Sequence, residues 1–284
     1  MLLFFDIDGT IFDDERNLPD SVLPEMEAAH GNGHRLIINT GRTLCNMDHR
    51  LDGFPLDGWI MGCGTRIIYH GETLQSKEYD PESSQKLRGI YRTLMLPTVY
   101  ECDTALYFDP EGPTHPKITS FREWAVRHGL DRDITEGDPE FRAVKMFCFS
   151  DADGIRALET RTAQAGMPYR AIDRGNGAWE VVPDGFSKGT GIDFLRKKLG
   201  AGTEECYAFG DSRNDMPMFS HAGCSIAMGN AGDDVREACD YVTDRPEHHG
   251  IAKAMKHFGL IRETVPPQRR NGIQKDAVDT VAEE

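Results

Sequence analysis

Apolar and polar positions along the chain follow two rhythms. Residues 2–5, Leu-Leu-Phe-Phe, are apolar without a break, as in a strand covered on both faces of a parallel sheet. The same continuous pattern returns at Leu36-Ile37-Ile38, at Trp59-Ile60-Met61, and over residues 206–209 and 224–227. Between these runs lie stretches that predict helices. Residues 20–32 carry Val22, Leu23 and Met26, with Asp20 and Ser21 as caps and Gly31-Asn32-Gly33 as a stop, and a shorter helix is expected over 43–51. Strand and helix thus alternate, which predicts a doubly wound, mainly parallel α/β sheet whose first strands become neighbours through right-handed crossovers. Residues 65–79, with Ile67-Ile68-Tyr69 broken at His70-Gly71, predict a β-hairpin.

From residue 80 the order changes. Helices are expected over 82–96, 117–128 and 152–165, and strands over 98–102, 105–108, 144–149, 169–172 and 179–182. Strands paired through short turns imply an antiparallel sheet with helices on one face, an α+β domain inserted at 81–183. The βα alternation then resumes, with helices over 187–199, 216–221, 231–238 and 250–258 and a last strand at 241–242. Residues 1–80 and 184–261 are therefore expected to form one core. Residues 262–284 are mostly polar or charged, without a sustained apolar period, and are expected to be a mobile tail.

Composition narrows the classes. With 39% hydrophobic and 28% charged residues the 284-residue chain reads as a soluble globular protein. Its longest apolar runs are far below the roughly 18 residues of a membrane span, and its first residues lack a basic leader, so a cytoplasmic location is expected. Seven cysteines without any Cys-x-x-Cys pair predict reduced thiols rather than a disulfide framework, and no zinc site is expected. The formal charge of −15 argues against nucleic acid and anionic membrane as partners. It would also repel a phosphate, but exposed charges are screened beyond about 8 to 10 Å, so the field inside a site matters more than the total. Oligomeric state leaves no signal in the sequence.

Candidate chemistry sits where the runs end. Asp6 and Asp8 follow the first strand, and side chains two apart on a strand share a face. Gly9 lets the chain turn sharply there; an ordinary Asp-Gly turn is the competing reading. Three further segments fall at a strand end or helix start: Asn39-Thr40-Gly41-Arg42, Lys188 within Phe186-Ser187-Lys188-Gly189-Thr190-Gly191, and Gly210-Asp211-Ser212-Arg213-Asn214-Asp215. Singly, Lys188 is a solvated lysine and Asp211 and Asp215 a turn and a helix cap. Together they can converge, because ligands of open parallel sheets bind outside the carboxyl ends of the strands.

In this order the four segments resemble the haloacid dehalogenase superfamily of phosphatases, and within it the Cof-type sugar-phosphatase-like branch, over residues 1 to about 260. The resemblance implies a Mg²⁺-dependent phosphatase acting on a small phosphorylated metabolite, a sugar or polyol phosphate, with residues 81–183 as a cap. It makes Asp6 the nucleophile that forms an aspartyl phosphate and Asp8 the general acid and base. The implied metal ligands are Asp6, the Asp8 backbone carbonyl and Asp211, with Ser212, Asn214 and Asp215 at the metal or orienting its ligands. Thr40, Gly41 and Lys188 would bind the phosphoryl oxygens. Arg42 is a candidate substrate contact, as is Asn230 in Ala227-Met228-Gly229-Asn230-Ala231, which is equally placed to cap a helix. In the cap, Lys145, Arg170, Asp173, Arg174, Asn176 and Trp179 are polar or aromatic residues near strand ends or turns, with Trp179 better suited to packing. Arg213 has no assigned role. A phosphotransferase or mutase on the same fold, and a sugar-phosphate-binding module, are the competing functions.

Overall fold

The continuous apolar runs become the inner strands of an eight-stranded sheet in the computed structural model, which describes residues 1–261. The expected tail, 262–284, lies outside the described residues. In chain order the sheet and its neighbours are β1 (Leu2–Phe5), α1 (Val22–Gly31), β2 (Arg35–Asn39), β3 (Gly58–Met61), β4 (Arg66–Tyr69) and β5 (Glu72–Ser76). A second group follows: α2 (Pro81–Thr93), β6 (Thr98–Glu101), β7 (Leu106–Phe108), α3 (Pro116–Arg127), β8 (Asp131–Asp133), β9 (Lys145–Phe149), α4 (Ala152–Gln164), β10 (Tyr169–Gly175) and β11 (Ala178–Pro183). The chain then returns with α5 (Lys188–Lys198), β12 (Cys206–Gly210), α6 (Met216–Phe219), β13 (Cys224–Ala227), α7 (Asp233–Glu237), β14 (Tyr241–Val242) and α8 (Gly250–His257).

The first sheet runs β14-β13-β12-β1-β2-β3-β4-β5, parallel from β14 to β3 and antiparallel across the β4–β5 hairpin. β1 lies near its middle. Leu3 and Phe5 pack on one face with Val22 and Met26 of α1 and Met255 of α8. Leu2 and Phe4 pack on the other with Ile192 and Leu195 of α5. Each such side chain is worth about 1.5 to 3 kcal/mol on burial, so β1 is fixed from both sides before its carboxyl end is asked to do anything.

The second sheet runs β10-β11-β9-β6-β7-β8. It corrects two expectations. Its edge strand β8 pairs parallel with β7, so the sheet is not purely antiparallel. Nor are its helices on one face. Tyr100, Met146, Cys148 and Val181 pack with Leu87 and Tyr91 of α2 and Ile155 and Leu158 of α4, whereas the alternate positions Val99, Phe149 and Ala178 pack with Ile118 and Ala125 of α3. The rest of that second face, including Glu101, Lys145 and Glu180, is turned to the first sheet's strand ends.

The helix expected over 43–51 is replaced by two 3₁₀ turns, Leu44–Asn46 and His49–Leu51. The Asp48 carboxylate accepts the Arg50 amide at 3.0 Å and starts a new turn, interrupting a helix that Leu44 and Leu51 would otherwise suit. The helices expected over 216–221 and 231–238 shorten to α6 and α7. Ser21 precedes α1 but its side chain makes no cap bond. All seven cysteines are free thiols. No helix among the described residues is long and apolar enough to cross a membrane.

Candidate active site

The site grows from the end of β1. The Asp6 amide donates to the Phe209 carbonyl at 3.0 Å, carrying the pairing with β12 one residue past the strand. The Ile7 carbonyl then accepts the Ile11 and Phe12 amides at 3.0 and 2.9 Å, closing a tight turn. Ile7 is buried in the core while Asp6 faces the site. Gly9 takes φ of +80° and packs so closely on the Asp211 carboxylate that a Cβ would collide with it.

β12 delivers the acidic turn. A Cβ on Gly210 would lie 2.6 Å from Asp215 Cγ, so glycine is what lets the turn fold back on its own strand. Asp215 Oδ2 accepts the Asp211 and Ser212 amides, each at 3.0 Å, and the Ser212 hydroxyl donates to Asn214 Oδ1 at 2.6 Å. Lys188 opens α5, fixed by the reciprocal Ser187–Thr190 capping bonds. Asn39 at the end of β2 donates to the Lys188 carbonyl at 3.0 Å. The Lys188 Nζ, fully buried, bridges Asp6 Oδ1 at 2.8 Å and Asp215 Oδ1 at 2.6 Å.

Carboxylate oxygens of Asp6, Asp211 and Asp215 lie within 4.8 Å of one another, against one ammonium. Burial pushes the Asp6 carboxyl up to about 7 although Lys188 pulls it down. Burial, then repulsion from Asp215 and Asp6, pushes Asp211 up to about 8. Clustered hard oxygen donors with negative charge in excess suit a divalent cation such as Mg²⁺. Of the three, Asp215 spends its oxygens on Lys188 and the two amides, leaving Asp6 and Asp211 as the better-placed donors.

Asp8 has a different environment. The Arg42 fork grips it, Nη2 on Oδ1 at 2.6 Å and Nε on Oδ2 at 2.9 Å. Burial would raise this carboxyl, but the bonds and charge of Arg42 outweigh it and hold Asp8 below the usual carboxylate range. Above Asp6 and Asp8 opens a cavity of about 400 Å³, with Thr40, Gly41 and Asn214 also at its floor and Lys145, Arg174 and Glu180 of the second sheet at its roof. Arg42, Lys145, Arg174 and Lys188 each pair with a carboxylate here and so offset part of the site's negative charge.

The expected residues separate into those the fold gathers and those it does not. Asp6, Asp8, Thr40, Gly41, Arg42, Lys188, Asp211, Asn214 and Asp215 meet around one crevice, with Ser212 tied to Asn214 beside it. Asn230 does not cap a helix, since α7 begins after Gly232; its Nδ2 donates to the Gly9 carbonyl at 3.0 Å and to Asp14 at 2.9 Å, bracing the turn after Asp8. Arg213 pairs with Asp234 at 2.7 Å and Asp173 at 3.5 Å. Lys145 and Arg174 line the cavity, and neither Arg170 nor Asn176 is among its lining residues. Trp179 packs behind the sheet, its indole donating to the Ser150 carbonyl at 3.0 Å.

Glu101, Cys63 and Glu180 went unforeseen. Buried Lys145 lies 3.0 Å from Glu101 and 3.6 Å from Glu180; Glu180 also receives Arg174 at 2.6 Å and the Cys63 thiol at 2.8 Å. Burial works against the Glu180 charge, and Lys145 and Arg174 overcome it, keeping the carboxyl well below its ordinary value. The available signal was a charge in the middle of the apolar run Ala178–Val182, since a buried charge must be paired.

Comparison with known proteins agrees with this geometry. A family model described as haloacid dehalogenase-like hydrolase matches residues 3–255. The HMP-PP phosphatase of Enterobacter sp. is 29% identical over 241 residues, covering 81% of this chain and 84% of that protein. The 5-amino-6-(5-phospho-D-ribitylamino)uracil phosphatase YcsE of Bacillus subtilis is 25% identical over 264 residues, covering 91% and 96%. Among solved structures, the HAD subclass IIB sugar phosphatase BT4131 superposes with a TM-score of 0.77 at 26% identity, covering 92% of this chain and 99% of its own.

Proposed function

The chain belongs to the haloacid dehalogenase-like hydrolases, and from that premise we propose that it is a cytoplasmic, magnesium-dependent phosphatase that hydrolyses a small sugar or polyol phosphate through an aspartyl-phosphate intermediate. Residues 1–80 and 184–261 form the catalytic core in this reading, and residues 81–183 the cap. The observation that carries it is the buried Lys188 ammonium locked between Asp6 and Asp215, with Asp6 lining the floor of the cavity between the two sheets.

Asp6 attacks the phosphorus in line, and the bond to the leaving oxygen breaks as the aspartyl phosphate forms. Asp8 donates a proton to that oxygen, then takes one from the water that attacks the phosphorus and frees Asp6. The Thr40 hydroxyl, the Gly41 amide and Lys188 bind the phosphoryl oxygens. Asp6 and Asp211, with the Asp8 carbonyl, would hold Mg²⁺, which when bound offsets the negative charge between nucleophile and phosphoryl group.

A phosphate-release screen over phosphorylated metabolites, with and without Mg²⁺, tests the reading. Turnover is expected only with the metal, and Asp6→Asn abolishes it while circular dichroism stays unchanged. Steady turnover by Asp6→Asn free of wild-type enzyme would remove Asp6 as nucleophile. Phosphate recovered on a second hydroxyl instead of in solution would make the protein a transferase.

A further inference from the structure

Arg174 on β10 is the roof charge whose bonding capacity is least spent. Its side chain is 32% exposed, against 3 to 5% for Lys145, Glu101 and Glu180. A guanidinium carries five N–H donors in a planar fork. Among the described residues Arg174 donates one bond, from Nη1 to Glu180 Oε1 at 2.6 Å. The remaining donors are available to the cavity that Asp6, Thr40 and Gly41 line from below.

Contacts on both sides fix where this fork hangs. Its neighbour Asp173 pairs with Arg213, at the start of the turn that carries Asp215. Glu180, its anchor, lies against Gly41, where a Cβ would sit 2.8 Å from Oε1. Glu180 also accepts the Cys63 thiol at 2.8 Å, and the Cys63 amide in turn donates to the Thr40 carbonyl at 3.1 Å. Arg174 is therefore suspended between the loop of Thr40 and Gly41 and the turn of Asp211 and Asp215. A phosphate ester entering there adds negative charge to carboxylates that already outnumber Lys188, so a second cation on the opposite side supplies what the floor lacks.

We infer that Arg174 is a substrate-binding residue whose free N–H groups hold oxygens of the transferring phosphoryl group from the cap side, opposite Lys188, and that Glu180 positions it. The inference rests on the phosphatase reading and adds to it a cap residue that touches the group common to every substrate rather than the leaving group. Bidentate recognition of phosphate is what a guanidinium fork does best.

The test uses the full chain with Mg²⁺ present and inorganic phosphate as the probe, bound in a calorimeter. Arg174→Gln should raise the phosphate Kd about ten- to a hundredfold, the worth of charged hydrogen bonds. It should lower kcat/KM by the same factor for two esters that the wild type turns over, one leaving as an alkoxide and one as a phenolate. Arg174→Lys, which keeps the charge without the fork, restores part of the affinity and serves if the glutamine variant melts early. Glu180→Gln should weaken phosphate only while Arg174 is present, so that the double variant binds no worse than Arg174→Gln alone. Wild-type phosphate affinity in a folded Arg174→Gln protein overturns the inference, as does a loss confined to one ester. If the wild type turns over no ester at all, the phosphatase reading falls, and the phosphate-binding comparison still decides Arg174.

Discussion

Asp8 has to give up a proton in the proposed reaction, yet the Arg42 fork holds both of its oxygens. A bidentate guanidinium favours the carboxylate, not the acid. For Asp8 to act, the pair must open, which a phosphoryl group competing for Arg42 could bring about. A general acid matters most when the leaving oxygen is a poor anion, so Asp8→Asn should slow ester cleavage about 10²-fold or more for an alkoxide and far less for a phenolate. Single-turnover release of the alcohol or phenol isolates this step from the later use of Asp8 as base. Equal slowing of both would mean that Asp8 holds the loop or the metal instead. At this scale much of the site was legible in the sequence, because Asp6, Lys188, Asp211 and Asp215 each stand where an apolar run stops or a helix starts. Glu180 and Cys63 stand inside or just after such runs, and only the pairing of strands far apart in sequence gives them a shared face.

Elements whose pattern is carried by side-chain period were readable, and elements carried by backbone pairing were not. β8, Asp131-Arg132-Asp133, has no apolar alternation and exists because its backbone pairs with β7 at a sheet edge. α3 could be predicted as a helix, but its side of the sheet follows from strand register, which a single sequence leaves open. The attachment of α2 to its sheet depends on charge. Asp109, just after β7, accepts Arg88 at 2.8 Å and Arg92 at 2.5 and 2.9 Å. Burial would raise the Asp109 carboxyl, but these bonds outweigh it and bring it down to about 2. A carboxyl lowered in the folded state adds stability above its unfolded value, about 3.9, and loses that contribution as pH falls toward the folded value. Asp109→Asn should therefore cost about 2 kcal/mol at neutral pH, with the difference from wild type vanishing near pH 2. Denaturation midpoints measured across that range check this, and a pH-independent difference would assign the loss to packing.

Across the whole molecule, the two sheets touch through side chains from both: Cys63 with Glu180, Arg213 with Asp173, and Arg66 with Asp103. The proposed cap joins the core through crossings near residues 80 and 184, and these should act as hinges, closing over substrate and excluding water. A tightly bound phosphate mimic should then slow hydrogen exchange of the β10–β11 amides, whereas exchange unchanged by the mimic would argue against closure. The sheet order carries a separate consequence for biosynthesis. β1 leaves the ribosome long before its neighbour β12, which begins only at Cys206. All six strands of the other sheet, from Thr98 to Pro183, are made in between. A nascent chain can complete that pairing while β1 still waits for a partner on one side, an order in which long-range closure comes last. Translation halted before residue 211 would release a protein with its second sheet built but without Asp211 and Asp215, two of the three clustered carboxylates. Incomplete products of this gene would then be silent as catalysts instead of hydrolysing phosphate esters without control.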